Sequence, residues 1–446
     1  MSAKKKICIF IENDFILRSY LEAFTIRKMS NEYSIELILT YRTNSDVFGE
    51  EFTFPITFIQ KSQFHQFLQT VFSITYWFRK QNLSNSFATR ILSLKFSRRI
   101  YYSKSKNRTF PSLSIVAGII FAKSKVEIPQ NFYSMASKKF RKFLEETKPN
   151  LVICITSGAA TSNSDLLSFA GRNLKIPVFT IVENWDNLTS KAVFNVKPDY
   201  VGVWGAQDKQ YAISLHDISE SRIFLLGSPR VSKLLNSRRM QWPQGRKLLF
   251  AGGSIDIDDE LLWLNSILNY TTLHSIPVIY VPHPSNYNGL AILITNSNMN
   301  LVELIPQEIM DLILEKSSKR YPRLNFYEEI LRESRVAISP YSTLLLESLL
   351  YGIPGVGIDF QDPYQAAVGW ASEKFEHFAH LNYFTDYYRV LNMNQIIEVL
   401  DKFFVQNDFI SDTDDGAKRL LSQNPFYNIS NDFNEQMMRI VKKVIS

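Results

Sequence analysis

Cysteine, glycine and long apolar runs are all scarce in this chain of 446 residues. Its two cysteines, Cys8 and Cys154, lie far apart in separate apolar runs, which argues against a disulfide framework and a structural zinc site and fits a reducing compartment. The longest apolar stretches, 67–78 and 113–122, are shorter than the roughly 18–20 residues that cross a bilayer. No secretory signal is predicted. With 16 glycines against 33 phenylalanines and 21 tyrosines, the composition predicts packed domains and excludes a collagen-like or mainly disordered chain.

Acidic residues are absent from one part of the chain. Residues 61–126 contain twelve Lys and Arg but no Asp or Glu, so the rest of the chain has a net charge of −5 although the whole has +7. Aromatic residues lie among these charges, as they do in nucleic-acid-binding proteins, but we find no nucleic-acid motif and expect no nucleic-acid partner. We predict that this basic insert binds an anionic membrane surface, at about 1 kcal/mol per basic residue near the lipid. A solvated helical surface is the alternative.

Short apolar runs alternate with amphipathic segments along most of the chain, which predicts parallel sheets of the α/β class. A polar stretch, 237–246, interrupts the pattern, and a second series follows it. We therefore predict two Rossmann-like domains facing a cleft: 1–236, which carries the basic insert 61–126, and 247–446, which ends in a helical tail. Many unrelated activities use such domains. The predicted strands are 6–11, 34–41, 151–155, 178–182, 200–204, 223–226, 247–251, 277–281, 336–339 and 355–358.

Residues 335–360 predict an anion site. A buried strand ends at Ser339, and a tight turn leads into a helix capped by Ser342 or Thr343. Free N–H groups at a helix N-terminus, aided by hydroxyls, can hold a phosphate. Glu347, one turn further on, is a candidate acceptor for ribose hydroxyls. An ordinary capped strand–helix–strand unit is the alternative.

This stretch resembles the nucleotide-binding element of GT-B glycosyltransferases and of CDP-glycerol glycerophosphotransferase-like enzymes. There, a strand, a Ser or Thr, a Glu and a Gly-x-Pro run hold the sugar-nucleotide donor. Thr343, Glu347 and Gly352 to Pro354 have the same order here. The resemblance implies the GT-B architecture and a class that generally needs no Asp-x-Asp metal site.

His283 stands between two prolines at the end of a predicted strand and is followed by Ser285. Bacterial sialyltransferases, Kdo transferases and glycerophosphotransferases have a similar His-Pro in the second domain. The resemblance implies that His283 contacts the donor phosphate. A structural histidine at a strand end is the alternative.

Gly252, Gly253 and Ser254 follow the first strand of the predicted second domain. Glycines let a backbone approach a diphosphate closely, but the complete Rossmann or Walker fingerprint is missing, and a simple turn is the alternative. The acidic run 256–260 suits the first turn of a helix, where acids meet the helix dipole favourably. We therefore expect no metal site, and no cofactor besides the nucleotide-sugar substrate.

Residues 182–191 (VENWDNLTSK) follow a predicted strand of the first domain. They resemble surface-polysaccharide proteins of the GT-B superfamily, in which Trp-Asp-Asn-x-x-Ser/Thr-Lys recurs. Asp186 is the candidate general base for an acceptor hydroxyl, and Asn187 and Lys191 are candidates for binding acceptor or donor oxygens. The alternative is a polar capping loop with Trp185 in the core.

Four polar residues follow the first predicted strand, at the same edge of the sheet. Glu12 and Asp14 are further candidates for the base, and Asn13 and Arg18 are candidates for acceptor contact. Their spacing gives no reason to prefer them to Asp186.

Together these features predict a metal-independent GT-B glycosyltransferase that moves a sugar from a nucleotide-sugar donor to a lipid-linked or oligosaccharide acceptor in bacterial surface-polysaccharide assembly. We expect it in the cytoplasm, peripheral to the inner face of the membrane. A glycerol- or ribitol-phosphate transferase, a sugar-nucleotide epimerase and a non-catalytic scaffold binding lipid and nucleotide are the alternatives.

Charge in the basic insert is predicted to hold the protein on anionic lipid. Replacing Arg98, Arg99, Lys104 and Lys106 with Gln should release it from anionic liposomes in a sedimentation assay, and high salt should do the same by screening. Neutral liposomes provide the control. Binding that is insensitive to both changes would contradict the prediction.

Overall fold

The computed structural model describes residues 4–23, 25–39, 54–59, 63–89, 91, 109–124, 130–156, 163–190, 194–236, 245–253, 257–296, 300–314, 322–360, 375–406 and 432–446. The chain forms two compact units. The first comprises Met1–Pro229, Lys374–His377 and Pro425–Ser446, and the second comprises Arg230–Glu373 and Phe378–Asn424.

The sheet of the first unit consists of apolar strands: β1 (Lys6–Ile11), β2 (Ser34–Leu39), β3 (Ile56–Phe58), β4 (Leu151–Thr156), β5 (Val178–Val182), β6 (Tyr200–Val203) and β7 (Ile223–Leu225). All pairs are parallel, in the order β3-β2-β1-β4-β5-β6-β7. Ile7 of β1 lies opposite Ile35 on one side and Leu151 on the other. The central strands are continuous apolar runs because side chains are buried on both faces of a parallel sheet.

Helices connect these strands: α1 (Asp14–Glu22), α2 (Thr25–Glu32), α3 (Gln63–Lys80), α4 (Thr109–Ser124), α5 (Gln130–Ala136), α6 (Lys138–Thr147), α7 (Ser164–Leu174), α8 (Asn187–Ser190) and α9 (Ala206–Ser214). Local signals set their ends. Asn13 caps α1 by accepting a hydrogen bond from the Ile16 N–H at 2.9 Å. Lys148 and Lys175 end α6 and α7 in the left-handed conformation, with φ of 46° and 57°.

The described part of the basic insert contains side chains that pack in the protein interior as well as side chains on the surface. Helices α3 and α4 lie against each other, and Gly118 permits the contact because a Cβ there would lie 2.8 Å from Ile74. The Thr75 hydroxyl donates to the carbonyl groups of Val71 (2.8 Å) and Gly118 (3.1 Å). Phe72 stacks on Tyr133 and joins the core under the sheet. Arg98, Arg99, Lys104 and Lys106 lie outside the described residues.

The second unit repeats the plan with β8 (Lys247–Ala251), β9 (Val278–Val281), β10 (Ser334–Ser339), β11 (Gly355–Ile358) and β12 (Tyr387–Val390). All pairs are parallel, in the order β12-β11-β10-β8-β9. Its helices are α10 (Pro229–Asn236), α11 (Ile257–Leu273), α12 (Tyr287–Asn296), α13 (Gln307–Leu314), α14 (Leu324–Glu333), α15 (Thr343–Tyr351) and α16 (Met393–Leu400), and α10 begins at the last residue of the first unit. No helix in the described ranges is long and apolar enough to cross a bilayer.

A strand forms at every predicted position, whereas β3 and β12 were not predicted. The units also divide the chain differently from the predicted domains. The division falls between Pro229 and Arg230 instead of within 237–246, and the end of the chain belongs to the first unit. Helix α17 (Phe433–Ile445) explains the second difference. Its buried face, Phe433, Met437 and Val441, packs into the apolar core of the first sheet.

Packing of α17 against the first sheet should contribute measurably to stability. Met437 is 1% exposed, so Met437→Ala should lower the free energy of unfolding by about 2–5 kcal/mol, because it removes buried atoms and leaves a cavity. Urea denaturation measures the loss. Arg439→Ala, on the exposed side of the same helix, is the control, and equal effects of the two changes would contradict the packing.

Candidate functional site

Acidic side chains gather at the carboxyl edge of the first sheet, where parallel α/β sheets bind ligands. Glu12 follows β1, Glu183 and Asp186 follow β5, and Asp208 lies in the first turn of α9, after β6. The predicted candidates Glu12 and Asp186 are thus at the same edge, as expected. Glu183 and Asp208 were not predicted as site residues.

Two of the candidates after β1 have structural contacts. Glu12 is 7% exposed, and its carboxylate accepts the Asn163 N–H at 2.7 Å, so it holds the start of α7. The Asn13 side chain is occupied in capping α1. Neither contact suits the predicted roles of base and acceptor ligand. Arg18 is half-buried within α1, and Asp14 is the first residue of that helix.

Asp186 sits in a tightly held loop. Its backbone carbonyl accepts the Ser190 hydroxyl at 2.7 Å, and its Oδ2 accepts the same hydroxyl at 3.3 Å. The Thr189 hydroxyl and His377 Nδ1 are 2.7 Å apart, and the His377 ring packs edge-on against Trp185. These contacts restrict the loop, and Asp186 is half-buried.

Asn187 does not lie where an acceptor ligand was predicted. It is fully buried, and its side-chain amide has no hydrogen-bond partner among the described residues. Trp185 is 2% exposed, in agreement with its alternative role in the core. Lys191 lies outside the described residues.

Asp208, like Glu183, is an acidic residue that sequence reasoning missed. It is 1% exposed, and burial raises the pKa of its carboxyl well above the ordinary value, while a backbone hydrogen bond at Trp204 opposes the rise and the charge of Asp186 adds to it. A carboxyl whose neutral form is favoured adds little further negative charge beside Asp186. The sequence signal that could have identified Asp208 was an acidic residue in the first turn of a helix that follows a strand.

The glycine pair of the second unit has a steric function. The Gly252 N–H donates to the Val281 carbonyl at 2.8 Å, and the Gly253 N–H donates to Glu260 at 3.0 Å. Neither N–H therefore points to a diphosphate. A Cβ on Gly253 would lie 2.8 Å from Pro340, so the pair lets the turns after β8 and β10 approach each other. Ser254 lies outside the described residues.

His283 follows β9 and is held in one orientation. Its Nδ1 accepts the Ser285 N–H at 3.2 Å and lies 2.7 Å from the Ser285 hydroxyl. In the neutral imidazole the proton is therefore on Nε2. His283 is half-buried and Ser285 is exposed, so the ring presents an N–H donor at the carboxyl edge.

The turn between β10 and α15 lies where it was predicted, but no side-chain hydrogen bond from the described residues caps α15. Ser339 is buried, and its hydroxyl accepts the Ser342 N–H at 3.1 Å and lies 2.8 Å from the Ser342 hydroxyl. Ser342 is the N-cap and Thr343 the first residue of α15. Tyr341 has a φ of 58°, a strained value for this residue type. Strained backbone of this kind clusters at active sites, ligand clamps and switch regions.

Glu347 has a different partner from the predicted ribose. Its side chain is fully buried and forms a two-point ion pair with Arg230, whose guanidinium lies 4.2 Å from the centre of the Tyr327 ring. Burial raises the pKa of Glu347, and the Arg230 charge and hydrogen bond oppose that rise. Glu347 can reach a ribose only if this pair opens.

No group of three His, Cys, Asp or Glu side chains able to hold a metal ion is present in the described part of the chain. At the carboxyl edge of the second sheet, the structure does bring together the ends of β8, β9 and β10, with Gly252, Gly253, His283, Ser339 and Ser342. Glu347 is not available in this group, because its carboxylate is paired with Arg230.

No protein-family model and no curated protein matches this chain. Among solved structures, it is similar to the UDP-GlcNAc 2-epimerase from Methanocaldococcus jannaschii, with a TM-score of 0.53, 12% identity and coverage of 98% of this chain and 99% of that one. It is also similar to MnaA of S. aureus, solved with UDP, with a TM-score of 0.52, 9% identity and coverage of 98% and 96%. At these identities the likeness concerns the fold. It confirms two Rossmann-like units of the GT-B architecture, whereas the resemblance to sialyltransferases and Kdo transferases stays a prediction.

Removing one partner of the Arg230–Glu347 pair should destabilise the second unit. Arg230→Met leaves a buried carboxylate without its counter-charge and should lower the free energy of unfolding by about 3–5 kcal/mol. Without Arg230 the pKa of Glu347 rises further above its unfolded value, so the deficit should be larger at pH 8 than at pH 5. Urea denaturation at both pH values measures this. The double variant Arg230→Met, Glu347→Leu should recover most of the loss, and no recovery would refute the argument.

Proposed function

We propose that the chain is a glycosyltransferase that uses a nucleotide-sugar donor. One observation carries the proposal: His283, with Nδ1 occupied by the Ser285 N–H, presents Nε2–H at the carboxyl edge of the second sheet. That edge also contains the N-terminus of α15 with Ser342 and Thr343. An imidazole N–H, two hydroxyls and helix N–H groups form a donor set suited to phosphate.

In the proposed reaction, the second unit binds the donor. His283 donates from Nε2 to a phosphate oxygen, and Ser342, Thr343 and the first N–H groups of α15 bind the same diphosphate. Negative charge grows on the departing nucleotide phosphate as the sugar bond breaks. Donors that are already oriented towards that charge stabilise the transition state with little reorganisation.

The first unit supplies the base. Asp186 accepts the proton of an acceptor hydroxyl while the oxygen attacks the anomeric carbon. Its loop is held by Ser190 and by the Thr189–His377 contact, so the carboxylate stays in place. Asp186 is preferred to Glu12, which is bound to the Asn163 N–H.

The acceptor is proposed to be a lipid-linked or oligosaccharide surface glycan, with the protein on the cytoplasmic face of the membrane. Helix α4 supports this part. Leu113 and Ile120 are each 60% exposed, and Val116, between them on the same side of the helix, is 44% exposed. An exposed apolar stripe within a segment without acidic residues is suited to an anionic lipid surface.

A sugar-nucleotide epimerase is the second candidate. The solved structures with TM-scores of 0.53 and 0.52 include a UDP-GlcNAc 2-epimerase and a protein solved with UDP. The acidic cluster of Glu183, Asp186 and Asp208 would then remove the C2 proton of the sugar while the nucleoside diphosphate leaves C1. It would return a proton to the other face of C2 while the diphosphate adds back to C1. A glycerol- or ribitol-phosphate transferase and a non-catalytic scaffold stay as outcomes of the test.

Two variants should affect donor affinity and turnover to different extents. Asp186→Asn keeps the shape but removes the base, so it should lower turnover by about 10²–10⁴-fold with nearly unchanged donor affinity. His283→Ala removes a phosphate donor and should weaken donor binding by about tenfold, with further loss in rate. Calorimetry measures affinity for the UDP-, GDP-, CMP- or CDP-linked donor that thermal shift selects, and product formation measures turnover.

Matched controls are Asp217→Asn and His274→Ala, two exposed residues that lie outside the proposed site. Normal turnover of Asp186→Asn would move the base elsewhere, and wild-type affinity of His283→Ala would remove the phosphate assignment. Incubation with UDP-GlcNAc in D₂O distinguishes the candidates. A 2-epimerase breaks the C2–H bond and introduces deuterium at C2, whereas a transferase releases nucleotide only when an acceptor is present. Absence of binding to every nucleotide would favour the scaffold.

A further inference from the structure

Glu260 is a buried acid at the carboxyl edge of the second sheet, and the proposed mechanism does not use it. It lies in the first turn of α11, and its side chain is 0% exposed. A buried carboxylate is costly unless hydrogen bonds replace the water that it loses. Its partners therefore indicate what the side chain holds together.

Three hydrogen bonds reach Glu260, from two different turns and one strand. Its Oε2 accepts the Gly253 N–H at 3.0 Å and the Asn286 side-chain amide at 3.3 Å. Its Oε1 accepts the Tyr280 hydroxyl at 2.6 Å. Gly253 belongs to the turn after β8, and Asn286 to the turn after β9 that begins at His283. One carboxylate oxygen thus connects the two turns.

Packing reinforces the connection. A Cβ on Gly252 would lie 2.8 Å from the Glu260 carboxyl carbon and 2.8 Å from the His283 N atom. The Glu260 carboxylate and the start of the His283 turn therefore both pack closely against the backbone of Gly252. Any side chain at this position would push the carboxylate or the His283 backbone away.

The ionised form of Glu260 suits its position between the two turns. Burial raises the pKa of Glu260 to about 7, and the hydrogen bonds from Tyr280, Gly253 and Asn286 oppose the rise. An ionised carboxylate only accepts hydrogen bonds, and here all three partners can donate. Glu260 is therefore bound most completely when it is ionised.

We propose that Glu260 is a positioning residue, which holds the Gly252–Gly253 turn and the His283–Asn286 turn in one fixed relation and so sets where His283 presents its imidazole. The consequence for nucleotide binding rests on the proposed function. The connection between the two turns does not, so it can be tested in the ligand-free protein.

Amide hydrogen exchange of the full chain at pH 8, where Glu260 is mostly ionised, tests the connection. Glu260→Ala should raise exchange at least about tenfold both at 252–253 and at 285–286, because a hydrogen bond to a charged group is lost at each turn. Glu260→Gln should stay within about threefold of wild type, because its amide oxygen can still accept from Gly253 and Asn286 while its NH₂ donates to the Tyr280 oxygen.

Two more variants separate positioning from general stability. Tyr280→Phe removes one hydrogen bond from the same carboxylate but leaves both turns attached, so it should lower the melting temperature without faster exchange at either turn. Asn286→Leu should loosen only the His283 turn, and it keeps the test decisive if Glu260→Ala does not fold. Wild-type exchange at the His283 turn in both Glu260→Ala and Asn286→Leu would overturn the connection. If Glu260→Ala is unfolded, wild-type exchange at this turn in Asn286→Leu is enough to overturn it.

Affinity for UDP and UDP-GlcNAc supplies the second measurement. Glu260→Ala, or Asn286→Leu in its place, should weaken binding about tenfold, and Glu260→Gln should restore it. Loosened turns with unchanged affinity would overturn the positioning role. If wild type binds neither probe nor any other nucleotide donor, the proposed function fails and the role towards nucleotide fails with it, while the exchange data still decide whether Glu260 connects the turns.

Discussion

Parallel pairing of strands that are buried on both faces is the constraint on which the rest of this structure depends. Each strand must be followed by a crossover that returns the chain to the same starting edge, so all carboxyl ends lie along one edge of each sheet. Because the strands are apolar, polar side chains are concentrated in the turns at that edge. Asp186 in one unit and His283 in the other owe their positions to this rule.

Buried acids show how the edge of each sheet is organised. Glu260 is compensated by three hydrogen-bond donors, Glu347 by the Arg230 guanidinium, and Asp208 by a raised pKa that favours its neutral form. These are three different solutions to one desolvation cost. Hydrogen bonds to Glu260 join turns, the ion pair of Glu347 locks α15 to α10, and a largely neutral Asp208 leaves Asp186 with less competing charge.

Most strands and the location of the polar clusters could be predicted because both are local properties, whereas the short edge strands β3 and β12 were not predicted. A continuous run such as 151–155 must be buried, and the residues that follow it must lie at the carboxyl edge. The helices of the basic insert were harder, since α4 is apolar on nearly all sides and gives no clear period. Asp208 was missed because an acid in a first helical turn is ordinary unless the turn is buried.

By itself, the sequence determined the α/β class, ten of the twelve strands in the described residues, and the chemical types present at the two sheet edges, because hydrophobic periodicity and turn chemistry act over a few residues. Tertiary structure decided which polar groups are available. Both glycine N–H groups are occupied, Asn187 is buried, and Glu347 is paired with a residue 117 positions away. It also decided that α17 completes the first unit. Contacts between distant parts of the chain depend on how preformed elements pack, and no local pattern contains that information.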